Sequence, residues 1–111
     1  MIETVIAIGS IPLTPYGTPS TDEVPEAITP YLAEHDVMLL QNHGALTVGN
    51  TLQRACFTME EVEFNAKINF YARQLGKVDE IPCAELDKLM DLRKKFNLPG
   101  KHPGCKKCTD K

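Results

Sequence analysis

Two short apolar runs and one long periodic segment dominate the pattern of hydrophobic positions along the chain. Residues 37–41 form a continuous run of strand length, and residues 45–48 resume it after Asn42-His43-Gly44. Continuous apolar runs of this length are typical of strands that are buried on both faces. The pattern therefore predicts two buried strands separated by a short connection.

From Leu52 to Leu75 the apolar residues recur every three or four positions, which predicts one long amphipathic helix. Thr51 or Asn50 is suited to the N-cap position, and Gly76 is suited to the position just after the helix. The stripe expected to face inward comprises Leu52, Ala55, Cys56, Met59, Val62, Ala66 and Phe70.

The remaining segments predict shorter elements. Ile2–Ile8 is rich in β-branched residues and predicts a strand, whereas residues 9–20 hold three prolines and two glycines and predict a loop with extended segments. The capping-box spacing of Ser20 and Glu23 predicts a helix to about residue 34. Two prolines inside that helix make it short, kinked or partly irregular.

A last helix is predicted from Ala84 to about Phe96, with Leu86, Leu89, Met90 and Phe96 inward. The element order favours an α/β fold, with a mixed central sheet flanked by helices in three layers. Two strands alone do not make a stable sheet, so we expect the sheet to be incomplete.

Composition places the chain among ordinary soluble domains. It has 111 residues, 42% hydrophobic residues and a net charge of −3, which suits one small domain and argues against nucleic acid or an anionic membrane as partner. No apolar run approaches the roughly 20 residues of a membrane span. Because no export signal is recognisable, we expect a cytoplasmic protein.

His43 is the first candidate for chemistry. It follows a buried strand, and Gly44 allows the backbone to turn sharply and leaves room beside the ring. By itself this pattern fits either a zinc ligand or a hydrogen-bonded structural histidine. Asn42 either approaches a metal or substrate, or holds the strand end. For Tyr16 the favoured interpretation is a loop aromatic packed on the core, rather than one near the pocket.

A second candidate lies in the Cys- and Lys-rich tail, residues 97–111. His102, Cys105 and Cys108 have the spacing H-x-x-C-x-x-C, which suits zinc, with Cys83 as a candidate fourth ligand. The two tail cysteines can instead form a redox-active disulfide. A reactive or disordered tail is the favoured interpretation.

The segment LLQNHGALTVGNTLQRACFTMEEVEFNAKI resembles the class II aldolase and adducin family. Upstream, SIPLTPYGTPSTDEV is similar to the same family's Ile-Pro, Pro-Tyr and helix-start segment. The resemblance covers about Ser10 to Tyr71 and continues more weakly through Phe96.

The resemblance implies a divalent metal, usually zinc, held by three histidines, of which the third corresponds to His43. Asn42 and Gly44 then lie at the substrate pocket. The implied reaction is retro-aldol cleavage of a small sugar phosphate, as in L-fuculose-phosphate aldolase, to dihydroxyacetone phosphate and an aldehyde. The alternatives are a ribulose-5-phosphate 4-epimerase-like enzyme and a non-catalytic adducin-like interaction module.

The sequence departs from the family in lacking the upstream H-x-H pair and the upstream acidic catalytic residue. We therefore expect residues 1–96 to be the C-terminal part of a family domain, with most of the active site missing. The expected partner is a complementing N-terminal half or further copies of the chain, since family members are usually homotetramers. Alone, the chain is expected to be inactive.

Overall fold

The fold, taken from a computed structural model that describes residues 1–104, is a small mixed sheet with helices packed against it. A single turn of 3₁₀ helix, Thr29–Tyr31, follows the second α-helix. The elements in chain order are α1 (Ile2–Ala7), β1 (Leu13–Thr14), α2 (Glu23–Ile28), β2 (Val37–Leu40), β3 (Gly44–Thr47), α3 (Leu52–Leu75) and α4 (Cys83–Lys95).

The sheet has the strand order β1-β2-β3. β1 runs parallel to β2, with Leu13 paired to Leu39, and β3 runs antiparallel to β2, with Leu40 paired to Gly44. The two predicted strands are confirmed, and the two-residue β1 lies in the segment predicted as a loop with extended parts. The prediction of an incomplete mixed sheet flanked by helices is confirmed.

The core is small and lies between the sheet and α3. Val37 and Met38 of β2 are fully buried, and Val37 forms one apolar cluster with Ile8 and Val62. Ala45 of β3 packs against the same cluster. Among the described residues, no helix is both long enough and apolar enough to cross a membrane.

The strand predicted at the N-terminus is wrong, because Ile2–Ala7 is helical. Thr4 and Ile8, four residues apart, are both buried, which is the spacing of one helix face. Arg93 of α4 donates to the carbonyls of Ile6 (2.8 Å) and Ala7 (3.0 Å) at the end of α1. A cation at a helix C-terminus stabilises the helix, so a distant residue overrides the β preference of the sequence.

The helix predicted after the proline-rich loop is short and irregular, as expected. Its N-cap is Asp22, so the capping box predicted for Ser20 and Glu23 is wrong. The Glu23 carboxylate instead accepts a hydrogen bond from the backbone N–H of Thr18 at 2.7 Å.

The bounds of α3 are confirmed. The Thr51 side chain caps the helix by accepting from the Arg54 N–H, and Gly76, with φ of +136°, ends it. The predicted inward stripe is only partly correct, because Val62 is buried while Cys56 and Phe70 are exposed. A helix of 24 residues is about 36 Å long, which exceeds the width of three strands.

The last helix, α4, spans Cys83–Lys95 and buries Leu89 as predicted. Phe96, predicted to face inward, is 60% exposed. After α4 the chain returns to the sheet, where the Lys101 N–H donates to the Asp36 carboxylate at 2.8 Å. The Ser10 hydroxyl donates to the Gly104 carbonyl at 3.0 Å, so residues 101–104 are tied to the body of the fold.

Candidate functional site

The candidate site lies at the tip of the β2–β3 hairpin, where three residues reverse the chain. The His43 N–H donates to the Leu40 carbonyl at 3.0 Å and closes the turn. Asn42 has φ of +61° and Gly44 has φ of +143°. A Cβ at Gly44 would meet nothing within 4 Å, so this position needs glycine for its torsion angle and not for space.

The His43 imidazole is exposed at this tip and does not enter the packed core. Its Nε2 lies 2.8 Å from the carbonyl oxygen of Gly17. Because a carbonyl only accepts, Nε2 carries the proton, and a neutral ring then has its lone pair on Nδ1. The ring is therefore oriented by the protein and presents one nitrogen that can accept a proton or a metal ion.

The loop that holds His43 is fixed by the start of α2. A Cβ at Gly17 would lie 2.8 Å from the Val24 nitrogen, so the loop and helix are in tight contact. Hydrogen bonds from Thr18 to the Glu23 carboxylate lower its pKa below the ordinary value and join this loop to the first turn of α2. These contacts fix the Gly17 carbonyl within hydrogen-bonding distance of the His43 imidazole.

Parallel pairing brings this loop to the hairpin tip. Thr14 ends β1 opposite Leu40 of β2, so residues 15–17 and 41–43 both follow the carboxyl ends of these parallel strands and lie side by side. The Tyr16 ring lies 6.1 Å from the His43 ring, tilted by 33°, and is exposed. The favoured interpretation of Tyr16 as a core aromatic is wrong.

The described residues do not complete a metal site around His43. No group of three histidine, cysteine, aspartate or glutamate side chains within residues 1–104 is arranged to hold an ion. His35 is buried, with Nδ1 3.1 Å from the Tyr31 carbonyl. A single imidazole fills one position of a zinc coordination sphere, so an ion bound there would need further ligands from outside residues 1–104.

His102, the third histidine, is half-buried and makes hydrogen bonds through both ring nitrogens. Its Nδ1 accepts from the Gly104 N–H at 3.0 Å, so Nε2 is the protonated nitrogen that donates to the Val5 carbonyl at 2.7 Å. Burial lowers the pKa of His102, and the nearby Arg93 lowers it further, against the opposing effect of Val5. A metal ion would have to displace the Gly104 N–H.

Cys105 and Cys108 lie outside the described residues. The tail metal or redox site, with His102, therefore stays a prediction.

The contact that sequence reasoning missed is the one between Gly17 and His43. The Pro-Tyr-Gly signature marked the loop, but its position depends on the pairing of a two-residue strand.

Comparison with known proteins gives consistent matches. Residues 1–70 match the family described as the Class II Aldolase and Adducin N-terminal domain. The 3-oxo-tetronate 4-phosphate decarboxylase of Escherichia coli K12 is 36% identical over 66 residues, which is 60% of this chain and 31% of that protein. No solved structure gives a significant match.

Two aldolases match a larger share of the chain. The L-fuculose phosphate aldolase of Escherichia coli K12 is 31% identical over 91 residues, which is 82% of this chain and 41% of the relative. The 5-deoxy-D-ribulose 1-phosphate aldolase of Bacillus thuringiensis is 30% identical over 82 residues, which is 74% of this chain and 37% of the relative. The matched segments thus span about a third to two fifths of these relatives.

Proposed function

Because the chain belongs to the class II aldolase and adducin family, we propose that it forms part of a metal-dependent lyase that cleaves a carbon–carbon bond in a small sugar phosphate. We assign His43 as one ligand of the metal. The observation that supports this assignment is the exposed imidazole at the hairpin tip, held through Nε2 by the Gly17 carbonyl.

Two substrate types follow from the relatives. L-Fuculose 1-phosphate is the first substrate to test, because the fuculose-phosphate aldolase match covers 82% of the chain. A phosphorylated 3-oxo acid is the second, because the decarboxylase is 36% identical over its shorter match. Both reactions break a carbon–carbon bond of the carbon beside a carbonyl group, and the electron pair of that bond is delocalised onto the carbonyl oxygen as an enolate.

A bound Zn²⁺, or another divalent ion, would supply a Lewis acid for that oxygen. The chain itself supplies an oriented ligand. Metal-bound histidines commonly donate their second ring N–H to a carbonyl or carboxylate, and the Gly17 carbonyl accepts such a bond here. Asn42 and Gly44 set the direction of the ring, because their positive φ values shape the turn that carries it.

The proposal requires ligands from other residues, since catalytic zinc normally has three protein ligands and the described part of the chain offers one here. We propose that a complementing N-terminal half supplies them. The isolated chain is accordingly expected to show no turnover of ketose 1-phosphates. Turnover by the isolated chain at the rate of an intact aldolase would contradict this requirement.

The direct test is a chimaera in which this chain replaces the matched segment of the Escherichia coli L-fuculose phosphate aldolase. The chimaera is expected to bind about one zinc per subunit and to cleave L-fuculose 1-phosphate or decarboxylate a phosphorylated 3-oxo acid. His43→Ala should lose both zinc and turnover. Gln41→Ala, in the same turn, is the matched control and should keep both.

Two results would contradict the proposal. Zinc content that is unchanged in His43→Ala would remove His43 from the coordination sphere. A chimaera that is folded and metal-loaded, but inactive on both substrate types, would contradict the lyase assignment while leaving the metal ligand intact.

A further inference from the structure

An open cleft of about 750 Å³ lies between α1 and the segment that joins α3 to α4. Ser10, in the turn after α1, lines one side of the cleft, and the linker residues Asp79 and Ile81 line the other. Ser10 precedes β1, whereas the Gly17 carbonyl that holds His43 follows β1. Among the described residues, none from the hairpin tip lines the cleft, so it is separate from the candidate metal site.

The end of the tail, residues 105–111, begins beside this cleft. The hydroxyl and the backbone N–H of Ser10 donate to the Gly104 carbonyl at 3.0 and 3.4 Å. The Gly104 N–H donates to the His102 ring, whose Nε2 donates to the carbonyl of Val5, another residue that lines the cleft. Position 104 is therefore fixed on the α1 side of the cleft.

On the other side of the cleft, Cys83 is disulfide-bonded. It is the first residue of α4 and lies two positions after Ile81, which lines the cleft. Cys56 of α3 is exposed and free. Because the sequence has four cysteines, the candidates for the partner of Cys83 within one chain are Cys105 and Cys108.

The length of the chain after Gly104 permits either pairing. The Cα atoms of bonded cysteines lie at most about 6.8 Å apart, and an extended chain advances about 3.6 Å per residue. Cys105 can therefore pair with a Cys83 whose Cα lies up to about 11 Å from that of Gly104, and Cys108 with one up to about 21 Å away. A cleft of this volume is about 9 Å across if taken as a cube, which is within reach of both.

The charges beside the cleft also favour the end of the tail as its occupant. Asp79 and Glu80 line the side of the cleft that is formed by the linker, and Lys106 and Lys107 lie between the two tail cysteines. Arg73 lines the cleft at the end of α3, so the attraction for lysine is confined to the linker side. Exposed ion pairs contribute little, so the disulfide is expected to supply most of the stabilisation.

We propose that the end of the tail crosses this cleft and that one of its two cysteines forms a redox-sensitive disulfide with Cys83. The bond joins the first turn of α4 to the α1 side of the cleft, where Gly104 is held. Cys83 is half-buried, so a small thiol can reach it. A bonded Cys83 has no thiolate to offer zinc, so oxidation also removes the fourth ligand predicted for the tail metal site.

Oxidised glutathione is the co-reactant that forms the bond. The thiolate of one cysteine attacks a sulfur of oxidised glutathione, which gives a mixed disulfide and releases one glutathione. The thiolate of the second cysteine attacks the protein sulfur of that mixed disulfide and releases the second glutathione. Two electrons pass from the cysteine pair to oxidised glutathione, and the two cysteine protons end on the released thiols. An excess of reduced glutathione reverses both steps.

The first test is mass spectrometry of the full chain after incubation with oxidised glutathione. Reduction should raise the mass of the monomer by about 2 Da, because one disulfide takes up two hydrogens. Trypsin places Cys83, Cys105 and Cys108 in three different peptides, residues 78–88, 102–106 and 108–111. Without reductant, the Cys83 peptide should be linked to one of the two tail peptides, and the mass of the linked pair identifies the partner.

The second test is urea unfolding of the oxidised and the reduced chain, followed by circular dichroism. The midpoint of the oxidised chain should lie about 1–2 M above that of the reduced chain, because a disulfide that closes a loop of roughly 25 residues restricts the unfolded state. Cys83→Ser should abolish this difference between the two states. Cys56→Ser is the matched control and should keep it, since Cys56 is free.

Three outcomes would overturn the proposal. The first is an oxidised chain in which Cys105 is linked to Cys108, or in which Cys83 remains a thiol. The second is a disulfide between two chains, seen as a doubled mass that reduction abolishes. The third is a Cys83 disulfide that persists in a large excess of reduced glutathione, because such a bond is a permanent structural link and not a redox-sensitive one.

Discussion

Arg93→Met is the change that should most weaken the fold without touching the apolar core. The Arg93 guanidinium donates to the Ile6 and Ala7 carbonyls of α1, and also to the Pro99 and Gly100 carbonyls at 3.2 and 3.0 Å. One side chain therefore joins α1 and the segment after α4. Methionine keeps the aliphatic volume and removes all four of these hydrogen bonds.

The size of the effect follows from these bonds. A hydrogen bond from a charged donor contributes about 1.5–3 kcal/mol. Arg93 is half-buried, and the four carbonyls can bind water after the substitution. We therefore count the two bonds to α1 as one contribution and the two bonds to Pro99 and Gly100 as another, each at about 1.5 kcal/mol. The expected loss is about 3 kcal/mol, a large share of the 5–15 kcal/mol that stabilises a typical domain.

Urea unfolding followed by circular dichroism measures this loss. With a slope of about 1.5 kcal/mol/M, the midpoint should fall by about 2 M. Lys94→Met is the control, because Lys94 is the next residue and, within residues 1–104, its side chain makes an exposed ion pair with Asp91 that is worth about 0–1 kcal/mol. Equal midpoints for the two variants would refute the view that Arg93 joins these segments.

Two other changes test the histidine and glycine positions. The pKa of His102 is lowered in the folded chain, so its neutral form stabilises the fold fully above the unfolded pKa of about 6.5, and this stabilisation is lost as pH falls through the folded pKa. The free energy of unfolding should then fall with a limiting slope of about 1.4 kcal/mol per pH unit, and His102→Gln should remove this fall. An unchanged dependence of the unfolding free energy on pH in His102→Gln would contradict the assignment. Gly44→Ala should lower the free energy of unfolding by about 1–3 kcal/mol, because alanine is strained at a φ of +143°. Gln41→Ala, in the same turn, should lower it by less than about 0.5 kcal/mol. Thermal unfolding measures both variants, and equal losses would contradict a requirement for glycine at position 44.

Features set by neighbouring residues could be predicted from the sequence. The start and end of α3 depend on Thr51 and Gly76, which act within one helical turn. The β2 and β3 strands depend on continuous apolar runs on either side of a tight turn. Each of these signals is local, so no knowledge of the rest of the fold was needed.

Features set by distant residues could not be predicted in the same way. The helical state of α1 depends on Arg93, which is more than 80 positions away. The orientation of His43 depends on Gly17, 26 positions away, through the pairing of β1 with β2. The outward face of α3 depends on how little of the helix the narrow sheet covers.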